Sequence, residues 1–175
     1  GKLKNNSIVI LDYAHTPDAL RTCLSNLKEQ FKDRKISIVF GCGGDRDKSK
    51  RLIMGKIANN YCDKVFLTDD NPRHEKPNKI RLNIKKGIKK NKLYEIPDRI
   101  RAINQGIKNL KTGEVLLVAG KGHEENQDYG NKKFFFSDKK IILESIEKKN
   151  KILSKDLKVN ILQDLIGYNK SISKL

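Results

Sequence analysis

Short apolar runs alternate with stretches in which hydrophobic residues return every three or four positions, and the alternation continues from position 7 to about position 146. Five runs, 7–11 (SIVIL), 36–40 (ISIVF), 64–68 (KVFLT), 92–96 (KLYEI) and 114–119 (EVLLVA), are β-branched or aliphatic with little polar interruption. Runs of that kind become strands covered on both faces, the habit of parallel sheets. The stretches between them read as helices. Thr16 and Pro17 suit an N-cap and a first helical residue, and Leu20, Cys23, Leu24, Leu27 and Phe31 then share one face. Ile53, Ile57 and Tyr61 mark a second helix, Ile80, Ile84 and Ile88 a third across 76–92, and Ile100, Ile103, Ile107 and Leu110 a fourth. Five βα units in series predict an open, doubly wound α/β fold. After the fifth run, Tyr129, Gly130 and Asn131 signal a turn before 133–136, and Ser137 caps a last helix through Ile146. This hairpin is expected to add one antiparallel strand, giving a mostly parallel, Rossmann-like sheet of about six strands. Residues 1–150 are expected to form the domain, with 151–175 a Lys-rich helical appendage or tail.

Composition narrows the functional classes. With 37% hydrophobic and 34% charged residues in 175 positions, the chain is polar but too apolar and too regularly patterned for disorder. No run approaches the roughly 20 apolar residues of a membrane helix, and the first eleven positions lack a signal-peptide pattern. A soluble, cytoplasmic protein with no membrane partner is expected. Three Cys without CxxC spacing and three His offer neither a disulfide framework nor a zinc ligand set, so no metal site is expected in this chain. The net charge of +17 suits an anionic partner. Yet 30 of the 38 basic residues are Lys, scattered over helix faces, and the block 76–92 reads as an amphipathic helix with a basic outer side. Aromatics total 6%, and no nucleic-acid motif accompanies the charge, so no nucleic-acid partner is expected.

Ligands of open α/β sheets bind beyond the carboxyl ends of the strands, which directs attention to the loops after the five runs. They read DYAHTP (12–17), GCGGDRDKSKR (41–51), TDDNPRHEKP (68–77), IPDR (96–99) and AGKGHEENQ (119–127), and they hold all three His. Gly41, Gly43 and Gly44 permit close backbone approach, and Arg46, Lys48, Lys50 and Arg51 follow with Asp45 and Asp47, which suits an anion-handling loop better than a plain turn. It is neither a GxGxxG fingerprint nor a GxxxxGK[ST] P-loop. Asp70, Asn71, Pro72 and Arg73 put a carboxylate, an amide and a guanidinium on a proline-stiffened loop; a zwitterion site and an Asx turn with a solvated Arg fit the local sequence equally. The segment GKGHE (120–124) adds two glycines, a cation, an imidazole and a carboxylate. Cys42, with no adjacent base, reads as a packing residue rather than a nucleophile.

Taken in order, DYAHTPDAL, GCGGDRDKSKR, TDDNPR and AGKGHE closely resemble the C-terminal domain of the Mur ligases, above all its diaminopimelate-adding MurE type. The resemblance covers the chain from about Ser7 to the helix after Ser137. It departs at Leu52, where the family usually has Pro, and in a longer tail. It implies an ATP-dependent amide ligase of peptidoglycan synthesis. ATP would phosphorylate the D-glutamate γ-carboxylate of UDP-N-acetylmuramoyl-L-alanyl-D-glutamate, and the amine of meso-diaminopimelate would displace phosphate. Matched by motif, Arg46, Asp70, Asn71, Pro72, Arg73, Gly120 and Glu124 correspond to residues binding the amino acid. Asp12, His15 and Lys48 correspond to nucleotide-facing positions, with Lys48 and His15 the candidates for catalysis. The family's UDP-binding and central domains, the latter with the P-loop and the lysine that organises Mg2+, would be this domain's partners, and this segment alone is expected to be inactive. A stand-alone α/β module binding phosphate or an amino acid remains the alternative. Folylpolyglutamate synthetase is a more distant one, from which DNPR and GKGHE point away. A reading frame that continues upstream of Gly1 through a P-loop favours the ligase.

Overall fold

The computed structural model describes the backbone of residues 1–172 and the side chains of residues 1–156. Strands β1 (Ile8–Asp12), β2 (Ile36–Phe40), β3 (Lys64–Leu67), β4 (Leu93–Glu95) and β5 (Val115–Ala119) form one parallel sheet in the order β1-β5-β2-β3-β4. Every residue of β2 and β5 is buried, Ser37 of β2 included, as the almost wholly apolar sequence of these two interior strands requires. The two-residue period sorts the side chains into two cores. Ile36, Ile38 and Phe40 join Val115 and Leu117 beneath α1 (Pro17–Gln30), α2 (Ser49–Tyr61) and α3 (Pro77–Lys85). Val39, Leu116 and Val118 join Phe66 beneath α4 (Arg99–Lys108) and α5 (Asp138–Ile172). Each fully buried Leu, Ile or Val in these layers contributes about 1.5–3 kcal/mol relative to exposure.

Helix starts follow local chemistry. Thr16 Oγ1 accepts from Ala19 N at 3.3 Å with Pro17 in the first turn, and Asp98 Oδ1 accepts from Arg101 N at 2.9 Å at the head of α4. The third helix is shorter than its isoleucine spacing suggests. α3 ends at Lys85 and the chain leaves it through Gly87, a residue favoured past helix ends, which packs so close to α2 that a Cβ would stand 2.6 Å from Lys56 N. Ile88 still reaches the core from the turn that follows.

The doubly wound α/β class stands, but the expected sixth, antiparallel strand does not join the sheet. β6 (Asn126–Asp128) and β7 (Lys133–Phe135) pair only with each other. All three residues of β7 are exposed, so the ribbon lacks the two-sided apolar character of a sheet member. It is tied over the strand ends through Gln127, whose Nε2 donates to Asp70 O at 2.9 Å. The outer edge of β1 is instead covered by the chain's first residues, with Val9 N donating to Gly1 O at 2.8 Å and Lys2 bridging Ile8. Helix α5 runs unbroken past position 150, where the sequence suggests an appendage; residues 173–175 of the expected tail lie outside the described residues. Among the described residues no helix is long and apolar enough to cross a membrane.

Candidate functional site

Because β5 lies between β1 and β2, the loops leaving β1, β2, β3 and β5 diverge at one edge of the sheet and enclose a cleft of about 500 Å³. Tyr13 and His15 line it from β1, Gly43, Arg46 and Lys50 from β2 and α2, Asp70, Asn71 and Arg73 from β3, and Gly120 and Glu124 from β5. Of the residues singled out in sequence, Asp12, Lys48 and Pro72 lie beside the cleft rather than in its lining.

The β3 and β5 side is densely connected. Asn71 is buried; its Nδ2 donates to Glu124 Oε2 at 2.9 Å, and its Oδ1 accepts from Lys121 Nζ at 2.7 Å and from Asp128 N at 3.0 Å. Lys121 Nζ also lies 3.1 Å from Glu124 Oε2. Burial pushes the Glu124 carboxyl up, but the hydrogen bonds from Asn71 and Lys121 and the charges of Lys121 and Arg73 outweigh it, leaving Glu124 below the usual carboxylate range. Asp70 Oδ1 accepts from Asn71 N at 2.7 Å. Its Oδ2 stands 4.0 Å from Arg99 Nη1, and a Cβ on Gly120, which has φ +112, would come within 2.8 Å of it. That position therefore takes glycine on two grounds, backbone conformation and space. Arg73 has φ +51; its Nη1 donates to Gly44 O at 2.8 Å, and its Nε lies 4.0 Å from Asp128 Oδ2.

Glu75 locks the β2 and β3 loops together. It accepts from Arg51 Nη1 at 3.0 Å and Nη2 at 2.8 Å, and from Asp45 N at 2.8 Å. Arg51 is 1% exposed, and its hydrogen bonds hold the Glu75 carboxyl down at about 2. The loops meet so closely that a Cβ on Gly44 would sit 1.8 Å from Pro72 O. Pro72 thus shapes the site through its backbone. Cys42 is buried with Sγ 3.6 Å from Met54 Sδ, and burial pushes its thiol up to about 12, in keeping with a packing role.

The β1 and β2 side is more open. His15 is exposed, with Nδ1 2.9 Å from Tyr13 O, and Tyr13 lies between His15 and His123 at centroid distances of 4.7 and 5.7 Å. Asp12 Oδ1 accepts from Ala14 N at 2.7 Å. Arg46 Nη1 donates to Asp45 O at 3.1 Å. Lys48, at the head of α2, has a side chain 69% exposed and only a 4.0 Å approach to Glu75. The cations Lys48 and Lys50 at the N-terminus of α2 fit a polyphosphate by chemistry. Among the described residues no group of three or more His, Cys, Asp or Glu side chains is placed to hold a metal ion.

Two buried cations carry more of this site than sequence reasoning assigned them. Lys121 and Arg99 are 0% and 1% exposed. Arg99 pairs with Asp138 at 2.9 and 2.7 Å and donates to Ala119 O at 3.0 Å, tying α5 to the end of β5 behind Asp70. Both belong to strand-end loops visible in the sequence, GKGHE and IPDR, but Asn71 lies 50 positions from Lys121 and Asp138 lies 39 from Arg99. Together the cleft offers carboxylates for an ammonium group and guanidinium groups for carboxylates within one recess, the requirements of an amino acid.

Comparison with known proteins shows which family the chain is similar to. The family model described as the Mur ligase, glutamate ligase domain, matches residues 2–122. The UDP-N-acetylmuramoyl-L-alanyl-D-glutamate--2,6-diaminopimelate ligase of Rickettsia rickettsii is 51% identical over 144 residues, 82% of this chain and 30% of that protein. Its namesake in Buchnera aphidicola is 51% identical over 147 residues, 83% of this chain and 29% of that protein. A solved structure of a ligase with the same name superposes with a TM-score of 0.75 at 38% identity, covering 81% of this chain and 29% of that one. The alanine ligase MurC of Thermotoga maritima, at 22% identity and a TM-score of 0.51, shares the fold. The chain spans about 30% of the length of the curated relatives it matches.

Proposed function

The chain belongs to the Mur ligase family, whose glutamate ligase domain it contains, and on that premise we propose that it is the amino-acid-receiving domain of an ATP-dependent ligase. That enzyme adds meso-diaminopimelate to UDP-N-acetylmuramoyl-L-alanyl-D-glutamate in cytoplasmic peptidoglycan synthesis. The observation that carries the reading is the convergence of Arg73 with Asp70 and Glu124 in one cleft. Asp70 and Glu124 receive the ammonium end of the incoming amino acid, and Asn71, whose Oδ1 is taken by Lys121 and Asp128 N, holds Glu124 and offers its remaining Nδ2 proton to a substrate oxygen. Arg46 and Arg73 take its carboxylates, with Gly120 leaving room and Pro72 stiffening the loop. Meso-diaminopimelate differs from L-lysine by a distal carboxylate, so a guanidinium there favours it, whereas lysine would bring an ammonium against a cation.

The γ-carboxylate of the D-glutamate is activated as an acyl phosphate, and the amine attacks its carbonyl carbon; the C–N bond forms as the C–O bond to phosphate breaks. This domain's part is to hold the amine in line and to bring cations to the migrating phosphoryl group. Lys48 and His15, with Asp12 shaping the β1 loop, face the ATP side. Mg2+, when bound, neutralises phosphate charge; the residues described here do not build its site, which belongs to the central domain. The N-terminal and central domains supply the UDP-sugar and ATP sites. Incubating the full-length enzyme with ATP, the UDP-linked dipeptide precursor and meso-diaminopimelate should release ADP with one new amide, while residues 1–175 alone should release none. Amide formation by this chain alone, or a full-length enzyme inert toward diaminopimelate, overturns the reading.

A further inference from the structure

We propose that Lys121 is a positioning residue for the incoming amino acid, its ammonium fixing Asn71 and Glu124 in the single arrangement that receives the substrate. The inference rests on the reading of Asn71 and Glu124 as amino-acid contacts. Lys121 itself does not line the cleft, whereas its neighbours Gly120 and Glu124 do. Its side chain is fully buried, which is rare for lysine without partners. Its Nζ meets Asn71 Oδ1 at 2.7 Å and Glu124 Oε2 at 3.1 Å, and the face of Phe136 covers it at 5.9 Å.

An amide side chain has two nearly isosteric orientations, and here the donor-only ammonium decides between them. Lys121 can face only the amide oxygen, and Asp128 N, 3.0 Å from the same atom, makes the same demand. Asn71 Nδ2 is thereby turned toward Glu124 Oε2, 2.9 Å away, closing a three-membered ring of side chains. Both donors converge on Oε2. Among the described residues Oε1 accepts no hydrogen bond, and Glu124 is a third exposed on the cleft side. A methionine would fill the same space without the desolvation penalty of a buried charge, so the charge serves orientation more than packing. The charged groups acting on Glu124 are Lys121 from its own loop and Arg73 from the β3 loop; Arg99, on α4, senses Glu124 in turn.

The test uses the full-length enzyme with Lys121→Met, Glu124→Gln and both together. Lys121→Met should raise the amino-acid KM about 10- to 100-fold, the range for losing hydrogen bonds to a charged group, with kcat and the ATP KM little changed. The acid limb of its kcat/KM profile should move to higher pH, because Glu124 keeps its burial but loses its cation. The double variant should be no worse than the worse single one by more than about twofold, since the two side chains act as one unit. A folded Lys121→Met enzyme with wild-type amino-acid KM and acid limb, beside an impaired Glu124→Gln, overturns the positioning role alone; so do penalties that multiply. Glu124→Gln with an unaltered KM removes the amino-acid reading and this inference with it. If Lys121→Met does not fold, nitrogen-15 spectra of the wild-type lysine ammonium groups decide. One slowly exchanging signal should shift when meso-diaminopimelate is added, and its indifference while the Glu124 amide responds is the contradicting result.

Discussion

The two sides of the cleft differ in how much of their geometry is settled before anything binds. On the β3 and β5 side, Asn71, Lys121 and Glu124 bond one another, Arg73 is anchored on Gly44 O, and Asp70 is backed by Arg99. On the β1 and β2 side, His15 is exposed and Lys48 extends a side chain 69% exposed. Selectivity between close analogues calls for groups that cannot relax around the wrong one. Charge that shifts during phosphoryl transfer is met instead by cations brought up as domains close. The wired side therefore suits amino-acid choice, and the open side suits the nucleotide.

The largest effect should come from Arg73. Replacing it with Ala or Lys in the full-length enzyme should remove most of a preference for meso-diaminopimelate over L-lysine that reaches about 10⁴ in kcat/KM, since Lys lacks the planar fork. A preference unmoved by either change would break the link between wiring and choice. Next is the frame behind that side. Arg99→Met leaves Asp138, itself fully buried, without its cation, and unfolding in urea should show a loss of about 3–5 kcal/mol. On the open side, Lys48→Ala should lower kcat by the equivalent of about 2–4 kcal/mol while the amino-acid KM holds, and steady-state kinetics on both substrates separates the two. A weakened amino-acid KM with unchanged kcat would move Lys48 to the other side.

The smallest effect concerns the clamp that joins the sides. Glu75 titrates at about 2 in the folded protein against an ordinary 4.5, so its stabilisation is complete above about pH 4.5 and is lost as pH falls toward 2. Allowing for its partial contact with solvent, this amounts to about 1–2 kcal/mol. The wild type should lose somewhat more than half of that increment of unfolding free energy between pH 6 and pH 3 relative to Glu75→Gln, and the rest below pH 3. Parallel pH curves for the two proteins would show that the Arg51 pair adds nothing.

What could be read in the sequence was what the chain encodes locally. β2 and β5 declare themselves because burial on both faces demands mostly apolar residues, α1 because Thr16 caps it, and α4 because Ile100, Ile103 and Ile107 return at helical spacing. The hairpin misled because turn chemistry at Gly130 predicts pairing between β6 and β7 but not the sheet to which they belong. The isoleucine spacing overran the end of α3 because Ile88 keeps the period past Gly87, a helix-ending residue, and still reaches the core from the following turn. Candidate residues stood out in clusters at strand ends, and the cleft gathers most of them. Lys121 and Arg99 did not stand out, for a lysine beside two glycines and an arginine at a helix start look solvated until the fold brings Asn71 and Asp138 to them.

A crystal structure of the full-length enzyme with meso-diaminopimelate bound is the most direct test of a preassembled amino-acid side. The distal carboxylate should lie on Arg73 and an ammonium group on Asp70 or Glu124, with the Asn71, Lys121 and Glu124 contacts as they are here. The amino acid lodged instead against His15 and Lys48, or a ring of Asn71, Lys121 and Glu124 that opens to admit it, would contradict that assembly.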